Sequence, residues 1–199
     1  MAESKVTPNA RDRILDAAEE LVSTRGVSEL TLDAVAAGAG LSKGGLLYHF
    51  ASKEQLIIGL VQRITDELAA DFQRSQSDET DKPDSPGRLV RAMLRQSHMI
   101  ESDPRAAKRY TRAFAILMAT MVQGPELLGP IRGFYQEILG RLQRDGLPPG
   151  RAEVIAAALD GLWLGSMFGL YELDSDQARG VYAELERLST VHESEAVVS

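Results

Sequence analysis

Apolar residues recur at spacings of three and four along almost the whole chain, and no run of β-branched residues alternates with polar ones as a strand requires. The pattern predicts an all-α protein. A first helix is expected from about 9 to 24, with Ile14, Ala17, Ala18, Leu21 and Val22 on one stripe and Gly26 placed for a left-handed stop. A second, of about two turns, opens at Thr31, whose hydroxyl can cap the following amides. It carries Leu32, Val35 and Ala36 inward and is broken by Gly38 and Gly40. Ser42 caps a third short helix through Leu46, Leu47 and Tyr48. Ser52, with Gln55 three residues on, forms an S-x-x-Q capping box that opens a long fourth helix to about Phe72.

The stretch SQSDETDKPDSPG, from Ser75 to Gly87, is polar and rich in turn formers, and reads as a loop. Beyond it the pattern predicts helices at roughly 86–101, 104–122, 126–145, 149–172 and 175–190, with the last nine residues, 191–199, frayed. About nine helices result. The expected division is a three-helix head over 1–55 and a helical body over 56–199. The helices differ in length and in their breakers, so no repeat of fixed period, and no solenoid, is expected.

The chain has 199 residues, no cysteine and a net charge of −7. Without cysteine there are no disulfides, no zinc-thiolate sites and no thiol nucleophile, which fits a cytoplasmic setting. No stretch approaches the apolar run that a membrane-spanning helix needs, and the first thirty residues show no apolar leader region. Within residues 1–55, six Lys/Arg face eight Asp/Glu. Any binding of DNA must therefore rest on a few well-placed donors rather than on bulk charge.

Two short helices joined by Gly38-Ala39-Gly40-Leu41 suit a helix-turn-helix: the glycines permit the tight turn, while Leu32, Val35, Leu41 and Leu46 lock the pair. The second helix is then free to enter a major groove with Ser42, Lys43, Gly44, Gly45 and Tyr48, and His49 just beyond. The stretch from Thr31 to Glu54, TLDAVAAGAGLSKGGLLYHFASKE, resembles the DNA-binding head of the TetR family of bacterial repressors. The likeness covers about residues 10 to 57. It implies that Thr31 is a phosphate contact, that Lys43, Gly44 and Gly45 lie on the recognition helix, that Tyr48 and His49 follow at its end, and that Lys53 grips a phosphate. The family often has Thr where Gly45 stands and Tyr where Leu47 stands, and Tyr48 can assume part of that aromatic role. Thr31, Ser42 and Ser52 also suit plain helix caps; Tyr48 and His49 also suit packing roles, and Phe50 reads as core.

The body shows no catalytic constellation. His98 has neither a partnered nucleophile nor metal-spaced carboxylates, and no phosphate-binding glycine loop is present, so no enzyme activity, cofactor or metal is expected. Large apolar side chains gather at Met93, Tyr110, Phe114, Met118, Met121, Phe134, Tyr135, Trp163, Met167, Phe168 and Tyr171. Most read as core. Tyr110, Phe114, Met118, Met121, Trp163, Met167 and Tyr171 are the candidates for an adaptable pocket that takes a small apolar or amphipathic effector. Gly161, Gly165 and Gly169 recur every four residues and are expected to share one helix face that packs closely, within the subunit or across a dimer axis. The resemblance implies a homodimer built on the last two long helices. It also implies a repressor that binds a palindromic double-stranded DNA operator and lets go when an effector binds. A body that binds a protein partner instead is the competing reading.

Overall fold

Three hydroxyl caps set the start of the chain's fold. The Thr31 hydroxyl accepts from the Ala34 amide at 3.2 Å, that of Ser42 from Gly45 at 3.1 Å and that of Ser52 from Gln55 at 3.2 Å. Each satisfies an amide that the first helical turn leaves without a partner. The computed structural model describes residues 9–77, 82, 84–170 and 173–191. Among these residues the fold is all α: α1 (Ala10–Arg25), α2 (Leu32–Gly38), α3 (Lys43–His49), α4 (Lys53–Gln76), α5 (Arg88–Ser102), α6 (Pro104–Gln123), α7 (Gly129–Leu142), α8 (Arg151–Met167) and α9 (Ser175–Leu188). Short 3-10 turns at Val27–Glu29 and Pro125–Leu128 precede α2 and α7.

The helices form two compact units. One holds the described residues up to Asp66 together with Arg112–Gly133, and the other holds Glu67–Thr111 and the described residues from Phe134 onward. In the first unit Ile14, Leu15, Ala18, Val35, Leu46, Leu56, Leu60, Val61 and Ile116 are buried. Arg63 of α4 pairs with Asp16 at 2.6 Å and with Glu19, and Arg112 of α6 pairs with Glu19 at 3.1 Å and Glu20 at 3.2 Å. In the second unit α5, α7, α8 and α9 surround a core that includes Val90, Leu94, Ile138, Leu142, Ile155, Leu159, Tyr182 and Leu185.

Several predicted boundaries move. α4 runs to Gln76, into the stretch read as a loop. The helix expected at 126–145 opens as a 3-10 turn at Pro125 and ends at Leu142. The helix expected at 149–172 stops at Met167: Gly169, with φ +60°, donates to the Ser166 carbonyl, and Leu170 donates to that of Gly165 at 2.9 Å. Gly169 is therefore a helix terminator and does not share a helix face with Gly161 and Gly165. At the end of α1, Gly26 has φ +88° but an extended ψ of 162°, so it turns the chain without the left-handed geometry expected.

Candidate nucleic-acid interface

α2 and α3 make the expected helix-turn-helix. Gly40, with φ +65°, supplies the turn, and the Leu41 amide donates to the Ala36 carbonyl at 2.9 Å. Gly38 is the last residue of α2, and a Cβ there would meet the Ala17 Cβ at 3.2 Å, so its bareness also lets α2 sit close on α1. Val35 and Leu46 are fully buried, and Leu32 and Leu41 partly so, which fixes α3 against α2. Phe50 is core. Its ring lies on α4 where a Cβ at Gly59 would stand 2.5 Å from Cε1, and Arg11 covers the ring at 5.4 Å.

What the fold does not need faces outward. Tyr48 is 86% exposed, and its ring meets that of His49 edge to face at 5.2 Å. Thr31, Ser42, Lys43 and Gly44 are exposed, Gly45 and Lys53 half-buried. A Cβ at Gly44 would meet only the Ser42 hydroxyl at 3.9 Å, and one at Gly45 the same hydroxyl at 3.4 Å, so packing demands glycine at neither position. Lys43 pairs with Asp33 of α2 at 3.0 Å, with both side chains well exposed. Spacing along the sequence did not show this pair, because it needs the turn to bring the two helices together. The row can donate to phosphates and base edges over a backbone that glycine leaves bare.

The body candidates fall in different units. Phe114, Met118 and Met121 lie in the first; Tyr110, Trp163 and Met167 lie in the second. Tyr171 lies outside the described residues. The Tyr110 hydroxyl donates to Asp71 at 2.9 Å and accepts from Gln96 at 2.7 Å. Asp71 is 3% exposed and also pairs with Arg74 and, at 2.5 Å, with Arg109. Burial, with the Asp71 charge beside it, pushes the Tyr110 hydroxyl up from its ordinary pKa. On α7 and α8, Tyr135 donates to Asp160; burial holds the tyrosine up at about 12 and raises the carboxylate as well. Sequence spacing marks neither the buried Asp71 nor the half-buried Asp160, since each looks like an ordinary surface acid of an amphipathic helix. Gly161 is half-buried and Gly165 buried on α8. No group of residues able to hold a metal ion, and no helix long and apolar enough to cross a membrane, is found among the described residues.

Comparison with known proteins bears on both parts of the chain. Residues 14–60 match the pattern described as bacterial regulatory proteins, tetR family, and residues 87–190, more than half of the chain, match the tetracyclin repressor-like C-terminal domain. The HTH-type transcriptional regulator BetI of Stenotrophomonas maltophilia is 27% identical over 177 residues, covering 85% of this chain and 87% of its own. The HTH-type transcriptional repressor KstR of Rhodococcus jostii is 26% identical over 173 residues, covering 84% and 77%. The crystal structure of the multidrug binding protein EbrR complexed with malachite green superposes with a TM-score of 0.68 at 25% identity, over 92% of this chain and 100% of that one. A helix-turn-helix head and a helical body, each matched by its own family pattern, thus occur in one chain: it belongs to the TetR family of bacterial transcriptional regulators.

Proposed function

We propose that the chain is a homodimeric repressor whose α3 reads a palindromic operator and which releases it when a small effector binds. The head, 1–55, contacts DNA and the remainder binds effector and partner. The observation that carries this reading is the surface of α3, where an almost fully exposed tyrosine and two glycines stand at positions that packing leaves unconstrained. Thr31 and Lys53 grip phosphates, while Ser42, Lys43, Gly44, Gly45, Tyr48 and His49 face the groove. Two copies place their α3 helices in successive major grooves, roughly 34–36 Å apart.

The effector is a small apolar or amphipathic molecule. EbrR, a structural neighbour, binds ethidium and malachite green, which supports ligand control in this chain. Trp163 and Met167, half-buried on α8, are the proposed contacts. α6 is the proposed transmitter. In one unit its Arg109 grips Asp71, and three residues on, in the other, its Arg112 grips Glu19 and Glu20 of α1.

A mobility-shift assay on DNA upstream of the chain's own gene tests the reading. A saturable shift, lost on adding one compound of a library of apolar cations and amphiphiles, is expected. No shift with any upstream fragment would sink the DNA-binding half, and a shift that no compound relieves would sink the effector half.

A further inference from the structure

The second unit contains a cleft unlike the apolar core around it. It is an open depression of about 390 Å³ between Gln76 at the end of α4, the turn into α5 and the end of α7. Its walls are mostly polar and include three guanidinium groups, those of Arg88, Arg141 and Arg144. The donors are only partly used. Arg88 gives one N–H to the Gln76 carbonyl at 3.2 Å, while its Nε is buried without an acceptor. Arg141 bonds the Gln76 side chain and lies over the Phe72 ring at 5.7 Å. Arg144 is exposed and, among the described residues, holds no ion pair.

Among the described residues two carboxylates line the cleft against three guanidinium groups, and Asp145 lies within electrostatic reach of Arg141. Asp145 is already committed: its two oxygens accept the amides of Leu89 at 2.9 Å and Val90 at 3.1 Å. It thus caps α5, whose own N-cap, Gly87, has no side chain to do so. Asp84, exposed, is the other acid among the described lining residues. A buried donor without an acceptor is costly, and a guanidinium fork matches the paired oxygens of a carboxylate or phosphate. The volume lies in the range of small-molecule sites, and the polar walls disfavour an apolar occupant.

We propose that this cleft binds a small organic oxyanion, a carboxylate or phosphate of metabolite size, held by Arg88, Arg141 and Arg144. It is a second ligand site. Neither Trp163 nor Met167 lines it, and the proposal does not depend on the DNA-binding reading. An occupant ties the end of α4 to the start of α5 and the end of α7.

Thermal unfolding of the full chain with citrate or inorganic phosphate, against sodium chloride at matched ionic strength, tests it, with calorimetry for affinity. One of the two anions is expected to raise the Tm of the parent more than that of Arg144→Gln, which cancels the general stabilisation that such excluded anions give, and which one does so indicates the class of oxyanion. Arg144→Gln and Arg88→Gln are each expected to weaken binding by at least about tenfold. Arg179→Gln, which removes only a surface pair with Asp176 on α9, should leave it unchanged. If Arg88→Gln fails to fold, Arg144→Gln carries the test, since that side chain is exposed. Stabilisation by neither anion beyond chloride, or binding by Arg144→Gln equal to that of the parent, would overturn the proposal.

Discussion

At the residue scale, the glycines of α3 are positions where the fold and the proposed contact with DNA make different demands. A glycine inside a helix costs about 1 kcal/mol relative to alanine. At Gly44 nothing in the fold offsets that cost, because a Cβ there would touch only the Ser42 hydroxyl at 3.9 Å. Gly44→Ala is therefore expected to raise stability by roughly 0.5–1 kcal/mol. In the proposed complex the same methyl stands between backbone and DNA, so affinity for the operator should fall. Urea unfolding and mobility shift on one sample check both, and a variant that is more stable yet binds as well as the parent refutes the close approach. The lysines divide differently. Lys53→Ala should weaken binding to every sequence and reduce the slope of log affinity against log salt by about 1. Lys43 starts from an exposed pair with Asp33, of a kind worth about 0–1 kcal/mol, so breaking it for a phosphate costs little. Asp33→Asn should thus tighten binding, most at low salt. Titrations across a salt series read both variants; unchanged slopes would remove Lys53 from the phosphate contacts.

At the scale of elements, the head depends on one helix crossing. Phe50 fits onto α4 only because Gly59 has no side chain, and a Cβ there would come within 2.5 Å of the ring. Overpacking a core of this kind costs about 1–3 kcal/mol, so Gly59→Ala should lower Tm by roughly 2–12 °C. A melting curve unchanged from the parent's would mean that the ring repacks freely. The short helices of the head were legible in the sequence because their signals are local: a hydroxyl cap, an apolar stripe and a positive-φ glycine all lie within a few residues. The end of α8 was not. Gly161, Gly165 and Gly169 keep one spacing, and periodicity cannot distinguish a glycine within a helix from one that stops it; the bond from the Leu170 amide to the Gly165 carbonyl decides. The cap of α5 was also hidden, since Asp145 reaches it from 56 residues away. Arg112 and Glu20, 92 residues apart, were equally out of reach. At the candidate interface the exposed row was readable from motif and spacing, but its partner Asp33 emerged only once the turn was built.

At the scale of the whole molecule, charge limits how DNA is held in the proposed complex. With a net charge of −7, general attraction to DNA is weak, and in the proposed dimer two heads acting together would offset this. The outer faces of α8 and α9 suit that pairing. α8 is apolar on both sides: Ile155 and Leu159 enter the core, while Val154 is 62% exposed and Ala157 is exposed beside it. A helix apolar all round is expected to be covered. On α9 the exposed side carries Gly180, where a Cβ would meet nothing within 4 Å, and Ala183. Small residues that the subunit does not require allow a second copy to approach closely. Val154→Asp puts a charge on that face at an exposed position, so the monomer's fold should survive. The expected outcome is a dimer-to-monomer shift by light scattering, with unchanged helicity by circular dichroism. Operator affinity should fall toward that of a single head. A variant that stays dimeric at the parent's concentration would place the interface elsewhere, and a monomer that keeps full operator affinity would show that one head is enough.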